Sequence, residues 1–278
     1  MDTCRFARIV VVAVLASLAA TSVRGQSARD TLDILFVGNS YTYVNNLPGM
    51  IEEISSALDG PVLHGSAHTH GGYTLRRHIE DGHVASLLSG VPATGGSWDW
   101  VVLQEQSTLG TTYDPDSGKL GKADAFRAAA AELVAMVKAV GARPALYMTW
   151  AKEAFPSQAI TLSETYRSAG AELGAEVLMV GDAWAAVRRV RPEFVLHLSD
   201  GSHPNAAGSY LAACVIYAML TGRSPVGAPR ELSGQPWNWE GPVPSSLPTV
   251  LVSLSASDAE FLQGIAWEVV AAQRDSGK

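Results

Sequence analysis

The sequence predicts a three-layer α/β/α sandwich with a central parallel sheet. Short apolar and β-branched runs alternate along the chain with longer stretches of helical periodicity. The predicted strands are apolar on both faces, which is typical of a parallel sheet covered by helices on both sides. Because no internal repeat and no low-complexity linker divides the sequence, we expect residues 26–278 to form a single domain.

The predicted elements follow one another in the strand–helix order that this architecture requires. Each strand is a short apolar or β-branched run, and each helix is an intervening stretch of helical pattern. The predicted strands are Asp33–Val37, Pro61–Ser66, Trp100–Gln104, Pro144–Thr149 and Glu176–Val180. The predicted helices lie near Leu47–Leu58, Thr74–Leu88, Lys122–Val140, Ile160–Leu173 and Ser257–Ala272, and Gly222–Pro248 is predicted to be a long surface excursion.

Residues 1–25 are predicted to be a signal peptide. Arg5 and Arg8 precede an apolar stretch from Ile9 to Ala20, and Gly25 is a small residue suited to a cleavage site. The apolar stretch is shorter than the roughly 20 residues of a membrane span, and a retained anchor is the alternative. We therefore expect an exported protein, periplasmic or extracellular, with no stable membrane association after cleavage.

The charge and cysteine content of the remaining 253 residues exclude several classes of partner and scaffold. Residues 1–25 carry one acidic and three basic side chains, so the net charge of −7 becomes −9 once they are removed. An acidic chain is a poor partner for nucleic acid or for an anionic membrane surface. Cys214 is then the only cysteine, which excludes an internal disulfide, and its apolar surroundings indicate a small buried residue.

The carboxyl ends of the predicted strands are the place to search for a site, because ligands of open parallel sheets bind there. These ends are "GNSY", "AHTHGGYT", "QEQST", "TWAKE" and "GDAW". Several of them carry small or neutral hydrogen-bonding residues in place of the charged residues of ordinary loops. Ser40, in the first of them, is therefore a candidate nucleophile, although Gly38 and Asn39 beside it would suit a plain turn equally well.

A base and an orienting acid for Ser40 are found near the other end of the chain. A serine hydroxyl needs both in order to attack at neutral pH. Asp200 and His203 are three residues apart in "LSDGSHPNAAGSY", where Pro204 fits the first position of a helix and restrains His203 to an extended conformation. The alternative is that Asp200 only caps a turn and His203 is a surface residue.

Candidate oxyanion donors follow the second and third strands. Gly72 lacks a Cβ and so can bring its backbone N–H close to a ligand. Gln104 and Gln106 would alternate onto one face if the third strand continued through them. The alternative is that Gly71 and Gly72 form a tight turn and that both glutamines are solvated.

The order of these motifs resembles the SGNH (GDSL-like) hydrolase superfamily over roughly Leu32 to Leu220. The most specific segments are "DGSHPNAAGSYLAA" and "FVGNSYT". The resemblance implies a flavodoxin-like parallel sheet, with Ser40 as nucleophile, His203 as general base and Asp200 as its partner. It further implies that the backbone N–H groups of Ser40 and Gly72 are oxyanion donors.

Two departures from the family pattern affect the substrate and the third oxyanion donor. Asn39 replaces the usual aspartate before the nucleophile, and "QEQS" replaces the usual Gly-x-Asn-Asp block. The latter resembles the Gln-Gly-Glu-Ser variant of some carbohydrate acetylesterases. The resemblance thus implies an exported serine esterase for O-acetyl or other small acyl esters, on small molecules or carbohydrates, with Gln104 or alternatively Gln106 as third donor. No metal or organic cofactor is needed.

Three further residues are candidates for substrate binding. Tyr41 follows the nucleophile closely, Trp150 could form a platform for a sugar ring, and Asn39 could either reach into the site or only shape the turn. A metal site at His68 and His70 is not predicted, because no third ligand of matching spacing follows. The alternatives to a carbohydrate esterase are a lipid esterase or thioesterase, and a catalytically silent carbohydrate-binding protein.

Overall fold

The structure is a computed structural model that describes Met1 and residues 31–276, apart from 111–112, 115–118, 121, 239–240 and 244–246. Apart from Met1, the predicted signal peptide lies outside the described residues. Among the helices of the described part of the chain, none combines the length and the apolar character that crossing a bilayer would take.

The described elements alternate as the sequence predicts through the first two thirds of the chain. In chain order they are β1 (Thr31–Gly38), α1 (Ser40–Tyr43), α2 (Leu47–Ala57), β2 (Val62–Thr69), α3 (Leu75–Glu80), α4 (His83–Ser89), β3 (Trp100–Leu103), β4 (Tyr113–Asp114), β5 (Lys119–Leu120), α5 (Ala123–Ala139), β6 (Arg143–Tyr147), α6 (Gln158–Leu173), β7 (Glu176–Leu178), α7 (Val180–Val190), α8 (Ala206–Thr221), β8 (Glu231–Gly234), β9 (Trp237–Asn238), β10 (Gly241–Pro242), β11 (Thr249–Ser253) and α9 (Ala256–Ser276). Short 3₁₀ helices lie at Val44–Asn46 and Ser107–Gly110.

The central sheet confirms the predicted parallel architecture. Its five strands lie in the order β2-β1-β3-β6-β7, and every neighbouring pair is parallel. Helices α3 to α6 pack together on one side, and α2, α7, α8 and α9 pack together on the other. Because β1 lies between β2 and β3, its carboxyl end at Gly38 lies beside Thr69 and close to the end of β3. The first three predicted strand ends therefore meet at one edge.

Helix α8 is buried on all sides because it lies between α2, α7 and α9. Every residue from Gly208 to Leu220 is buried, which is the pattern expected of a helix that is apolar all round. Cys214 is among these residues, and burial raises the pKa of its thiol. A buried thiol of this kind packs as a small apolar side chain.

Three predicted features differ in the structure. The single helix predicted over Thr74–Leu88 is divided into α3 and α4, because Gly82 adopts a φ of 71° and starts a new helix. Pro204 is not the first residue of α8: Asn205 is the N-cap, and its side chain accepts from the N–H of Gly208. The predicted surface excursion contains β8, which pairs antiparallel with β11.

Candidate active site

The turn after β1 presents Ser40 at the carboxyl edge of the sheet. Asn39 is extended and caps α1, and its Oδ1 accepts from the N–H of Tyr41 at 3.1 Å. Gly38 has to be glycine here, since a Cβ would lie 2.6 Å from the Oε1 of Gln104. The strand therefore ends in a tight strand–turn–helix connection, and Ser40 is the first residue of the helix.

The structure brings Ser40, His203 and Asp200 together. His203 Nε2 lies 2.8 Å from Ser40 Oγ, and His203 Nδ1 lies 2.5 Å from Asp200 Oδ2. The other carboxylate oxygen of Asp200 accepts the backbone N–H groups of Ser202 and His203 at 2.9 and 3.0 Å. The hydrogen bond from His203 lowers the pKa of Asp200 to about 2, ahead of these two backbone bonds. An ionised Asp200 fixes the proton on Nδ1 and leaves Nε2 free to accept the proton of Ser40.

Backbone hydrogen bonds hold the loop that carries His203. The N–H of Leu198 donates to the carbonyl of His203 at 2.8 Å, which closes the loop at its base. The N–H of Glu153, in the segment after β6, donates to the carbonyl of Gly201 at 2.9 Å. His203 is therefore positioned by contacts within its own loop and with a neighbouring strand end.

Three stacked aromatic rings support this loop, and two of them belong to Tyr41 and Trp150, which the sequence predicted to bind substrate. Trp150 stacks on Tyr41 at 4.5 Å and on Trp184 at 3.9 Å between ring centroids, so both of its faces are covered. Its Nε1 donates to the carbonyl of Ser202, and the Tyr41 hydroxyl lies 2.7 Å from Ser202 Oγ. Tyr41 also meets the His203 ring edge-on at 5.6 Å. Both aromatic side chains are buried and contact the loop that carries His203.

Gln104, predicted as an oxyanion donor, has an amide group that is fully engaged in the turn. Its Oε1 accepts from the Asn39 N–H and from the Thr42 hydroxyl, both at 2.9 Å. Its Nε2 donates to Asn39 Oδ1 at 3.0 Å and to the carbonyl of Glu105. Gln104 has no exposed surface. It is therefore a buried support of the turn over residues 38–41 that presents Ser40, the proposed nucleophile (the nucleophile turn).

Asn39, predicted either to reach into the site or only to shape the turn, is buried within the turn. It is 2% exposed, and its Nδ2 donates to the carbonyl of Tyr73 at 2.9 Å. This bond ties the nucleophile turn to the loop after β2. The N–H of Tyr73 donates to the carbonyl of His70, and Gly72 between them adopts a φ of 72° that favours glycine. Gly72 therefore forms the tight turn and is also exposed beside the nucleophile turn.

Gln106 is the more accessible of the two glutamines. Its Oε1 accepts from the N–H of Thr108, and among the described residues no group accepts from its Nε2. Gln106 is only half-buried, so its amide N–H groups are available to a ligand. Of the two glutamines considered as the third oxyanion donor, Gln106 is therefore the one that its exposure favours.

Glu105 is a buried carboxyl residue, and its burial is not visible in the sequence. It is 6% exposed, and its two carboxylate oxygens accept the backbone N–H groups of Gln106 at 2.6 Å and of Leu75 at 3.3 Å. Burial raises the pKa of its carboxyl to about 7. The residue links the segment after β3 to the start of α3, and only the folded packing makes it buried.

We expect Glu105 to make stability fall as pH rises through neutrality. Its folded-state pKa is above the ordinary value of 4.5, so its stabilisation is complete below pH 4.5 and is lost as pH rises through 7. The size of this effect is up to about 3 kcal/mol. Urea unfolding between pH 5 and 8 measures it, and Glu105→Gln should flatten the dependence. Glu53→Gln, on the exposed side of α2, should behave like the wild type; equal slopes in all three proteins would contradict the assignment.

Comparisons with solved structures confirm the resemblance to the SGNH-like superfamily. A protein assigned to the SGNH hydrolases from Slackia heliotrinireducens is 27% identical, with a TM-score of 0.54 over 69% of this chain and 100% of its own. A DUF4886 family protein from Bacteroides uniformis is 17% identical, with a TM-score of 0.64 over 87% of this chain and 95% of its own. A lipase/acylhydrolase from Enterococcus faecalis is 16% identical, with a TM-score of 0.52 over 69% and 96%. No family model and no curated protein matches this chain.

Proposed function

We propose that this chain, an SGNH-type carboxylic ester hydrolase by its fold and its structural neighbours, is a serine esterase that uses Ser40, His203 and Asp200. The observation that carries the proposal is the continuous chain of hydrogen bonds from Asp200 Oδ2 through His203 to Ser40 Oγ. These hydrogen bonds lie at the carboxyl edge of a parallel sheet, where such folds bind their ligands.

The proposed reaction has two halves. His203 Nε2 takes the proton of Ser40 Oγ as the oxygen attacks the ester carbonyl, and Asp200 stabilises the imidazolium that forms. The imidazolium then returns its proton to the leaving alcohol, and the C–O bond to that alcohol breaks. In the second half, His203 takes a proton from a water molecule as that water attacks the acyl carbon, and it then gives the proton to Ser40 Oγ as the acyl–Oγ bond breaks and the acid is released. Each step uses a group that this chain supplies.

The oxyanion is proposed to be held by the backbone N–H groups of Ser40 and Gly72 and by Nε2 of Gln106. Among the described residues, neither backbone N–H donates to another group, and the first N–H groups of a helix have no partner within it. Donors that face the developing charge lower the barrier to acyl transfer. Support for Gln106 comes from its available amide group, in contrast to the fully engaged Gln104.

The substrate class proposed is a small acyl ester, chiefly O-acetyl, on a carbohydrate that the exported protein would meet. It is supported by the "QEQS" segment, which resembles a carbohydrate acetylesterase block, and by the apolar stretch near the N-terminus that predicts export. The net negative charge fits a neutral substrate better than an anionic lipid surface.

We expect kcat/KM to be highest for p-nitrophenyl acetate and to fall by about tenfold or more toward the octanoate, because a site for acetyl excludes added methylenes. A series of p-nitrophenyl esters at fixed pH measures this, together with acetate release from an O-acetylated oligosaccharide. A rate that rises with chain length would favour a lipid esterase or thioesterase. Turnover no faster than that of Ser40→Ala would favour a silent carbohydrate-binding protein.

A further inference from the structure

A cluster of histidines lies beside the nucleophile turn, between β2 and α3. His68 is on β2, His78 is on α3, and Asp81 is the C-cap of α3. His68 Nε2 lies 3.1 Å from Asp81 Oδ2, and the ring centroids of His68 and His78 are 5.1 Å apart. One nitrogen or oxygen atom from each of these three residues lies within 4.8 Å of the other two. Strand β2 and helix α3 thus bring two imidazoles and one carboxylate close enough together to be considered as ligands of one metal ion.

His78 has an unpartnered nitrogen in this cluster. The side chain is fully buried, and its Nε2 lies 2.8 Å from the carbonyl oxygen of Gly38. A carbonyl only accepts, so Nε2 carries the proton and Nδ1 carries a lone pair. Among the described residues Nδ1 has no hydrogen-bond partner, although a buried polar atom without one is costly. Metal-binding histidines commonly donate their other N–H to a backbone carbonyl in this way.

We propose that His68, His78 and Asp81 bind one divalent transition-metal ion of the zinc type. Two imidazole nitrogens and one carboxylate oxygen form a ligand set that Zn²⁺ accepts, whereas Ca²⁺ and Mg²⁺ prefer oxygen ligands. Ligand atoms on one ion at about 2.1 Å lie at most about 4.2 Å apart, so binding requires these side chains to close in by about 1 Å. His68 and Asp81 side chains are 13% and 17% exposed, which gives the ion a path from solvent.

The fourth position is open to water or to His83. The Nδ1 of His83 lies 3.5 Å from Asp81 Oδ1, and its ring stacks against His68 at 5.4 Å. The sequence predicted no metal site because it offered no third ligand near His68 and His70. The fold supplies that ligand from α3, which the β2–α3 connection folds back against β2.

The ion would stabilise the nucleophile turn without touching the ester. It would join β2 to α3 through His78, whose other nitrogen bonds Gly38, two residues before Ser40. Its loss should therefore lower thermal stability, whereas the groups that act on the ester stay in place. The inference does not depend on the esterase proposal, since metal binding is measured without substrate.

The test is calorimetric titration of the chelator-treated full-length protein with ZnCl₂, together with thermal unfolding with and without Zn²⁺. We expect one ion per chain and a rise in Tm. His68→Asn and Asp81→Asn should each weaken Zn²⁺ affinity by at least about tenfold and abolish the rise in Tm. His64→Asn is the matched control, because His64 is exposed, on the same strand and four residues away, and it should bind Zn²⁺ like the wild type.

Two outcomes would overturn the proposal. One is a wild-type affinity no higher than that of His68→Asn and Asp81→Asn. The other is an equal loss in His64→Asn, which would indicate scattered binding by surface histidines. The Tm of each variant in chelator distinguishes loss of the ion from loss of the fold, because a folded variant without the site keeps a single cooperative transition near that of the stripped wild type.

Discussion

A Ser40→Ala variant is expected to hydrolyse p-nitrophenyl acetate about 10⁴-fold or more slowly than the wild type. The substitution removes the atom that is proposed to attack the carbonyl, and only the residual stabilisation of the oxyanion is left. Ser40 is half-buried, and among the residues that the structure describes its side chain hydrogen-bonds only His203. The Tm should therefore stay within a few degrees of the wild-type value. A stopped assay at high enzyme concentration is needed to quantify the residual rate.

Substitutions of His203 or Asp200 should lower the rate as much as Ser40→Ala does, and combining them with Ser40→Ala should lower it no further. His203→Ala removes the proposed base. Asp200→Asn no longer holds the proton of His203 on Nδ1, and we expect kcat to fall by about 10⁴-fold. A Ser40→Ala/His203→Ala double variant should be no slower than either single variant, because the two residues act as a unit. Ser86→Ala, on the exposed surface of α4, should retain the full rate.

Two results would contradict the assignment of the nucleophile. One is wild-type turnover by Ser40→Ala, and the other is additive losses in the double variant. Either would place the chemistry elsewhere, and the SGNH-like fold would then have to be explained without its usual nucleophile. A loss confined to Asp200→Asn would instead indicate that the loop is only structural.

The sheet and the positions of Ser40, His203 and Asp200 could be predicted because the information is local. Buried parallel strands are continuous apolar runs, and their carboxyl ends are visible in the sequence. The spacing of Asp200 and His203 lets one carboxylate bind both the loop backbone and the imidazole. The contact across 163 positions between His203 and Ser40 is not visible in any local pattern, because it depends on how the loop before α8 is held against the residues after β6.

The direction of a side chain beyond a strand end could not be predicted in the same way. Gln104 and Gln106 were placed on one face by the alternation of an extended strand, but β3 ends at Leu103. Beyond Leu103 the side chains no longer alternate between two faces as they do along a strand. Gln104 is therefore buried, whereas Gln106 is half-buried. The covered faces of Trp150 likewise depend on Trp184, which approaches only in the folded chain.

Gln104→Ala separates the two possible roles of that residue, and we expect its main effect to be on stability. The substitution leaves the N–H of Asn39 and the carbonyl of Glu105 without their buried partner, and it opens a cavity. The expected cost is about 3 kcal/mol or more, which corresponds to a fall in Tm of about 10 °C. Thermal and urea unfolding measure it. The kcat should also fall, because the turn that carries Ser40 loses its support.

Gln106→Ala is the matched comparison, and the two variants should show opposite patterns. Gln106 is half-buried and its Nε2 has no partner among the described residues, so its removal should change the Tm by no more than a few degrees. If its amide is the third oxyanion donor, kcat should fall about 10²- to 10³-fold while KM changes little. A Gln104→Ala protein with wild-type stability and a 10²-fold lower kcat would reverse this assignment. Such a result would require Gln104 to release the nucleophile turn and face the substrate, which its four buried hydrogen bonds oppose.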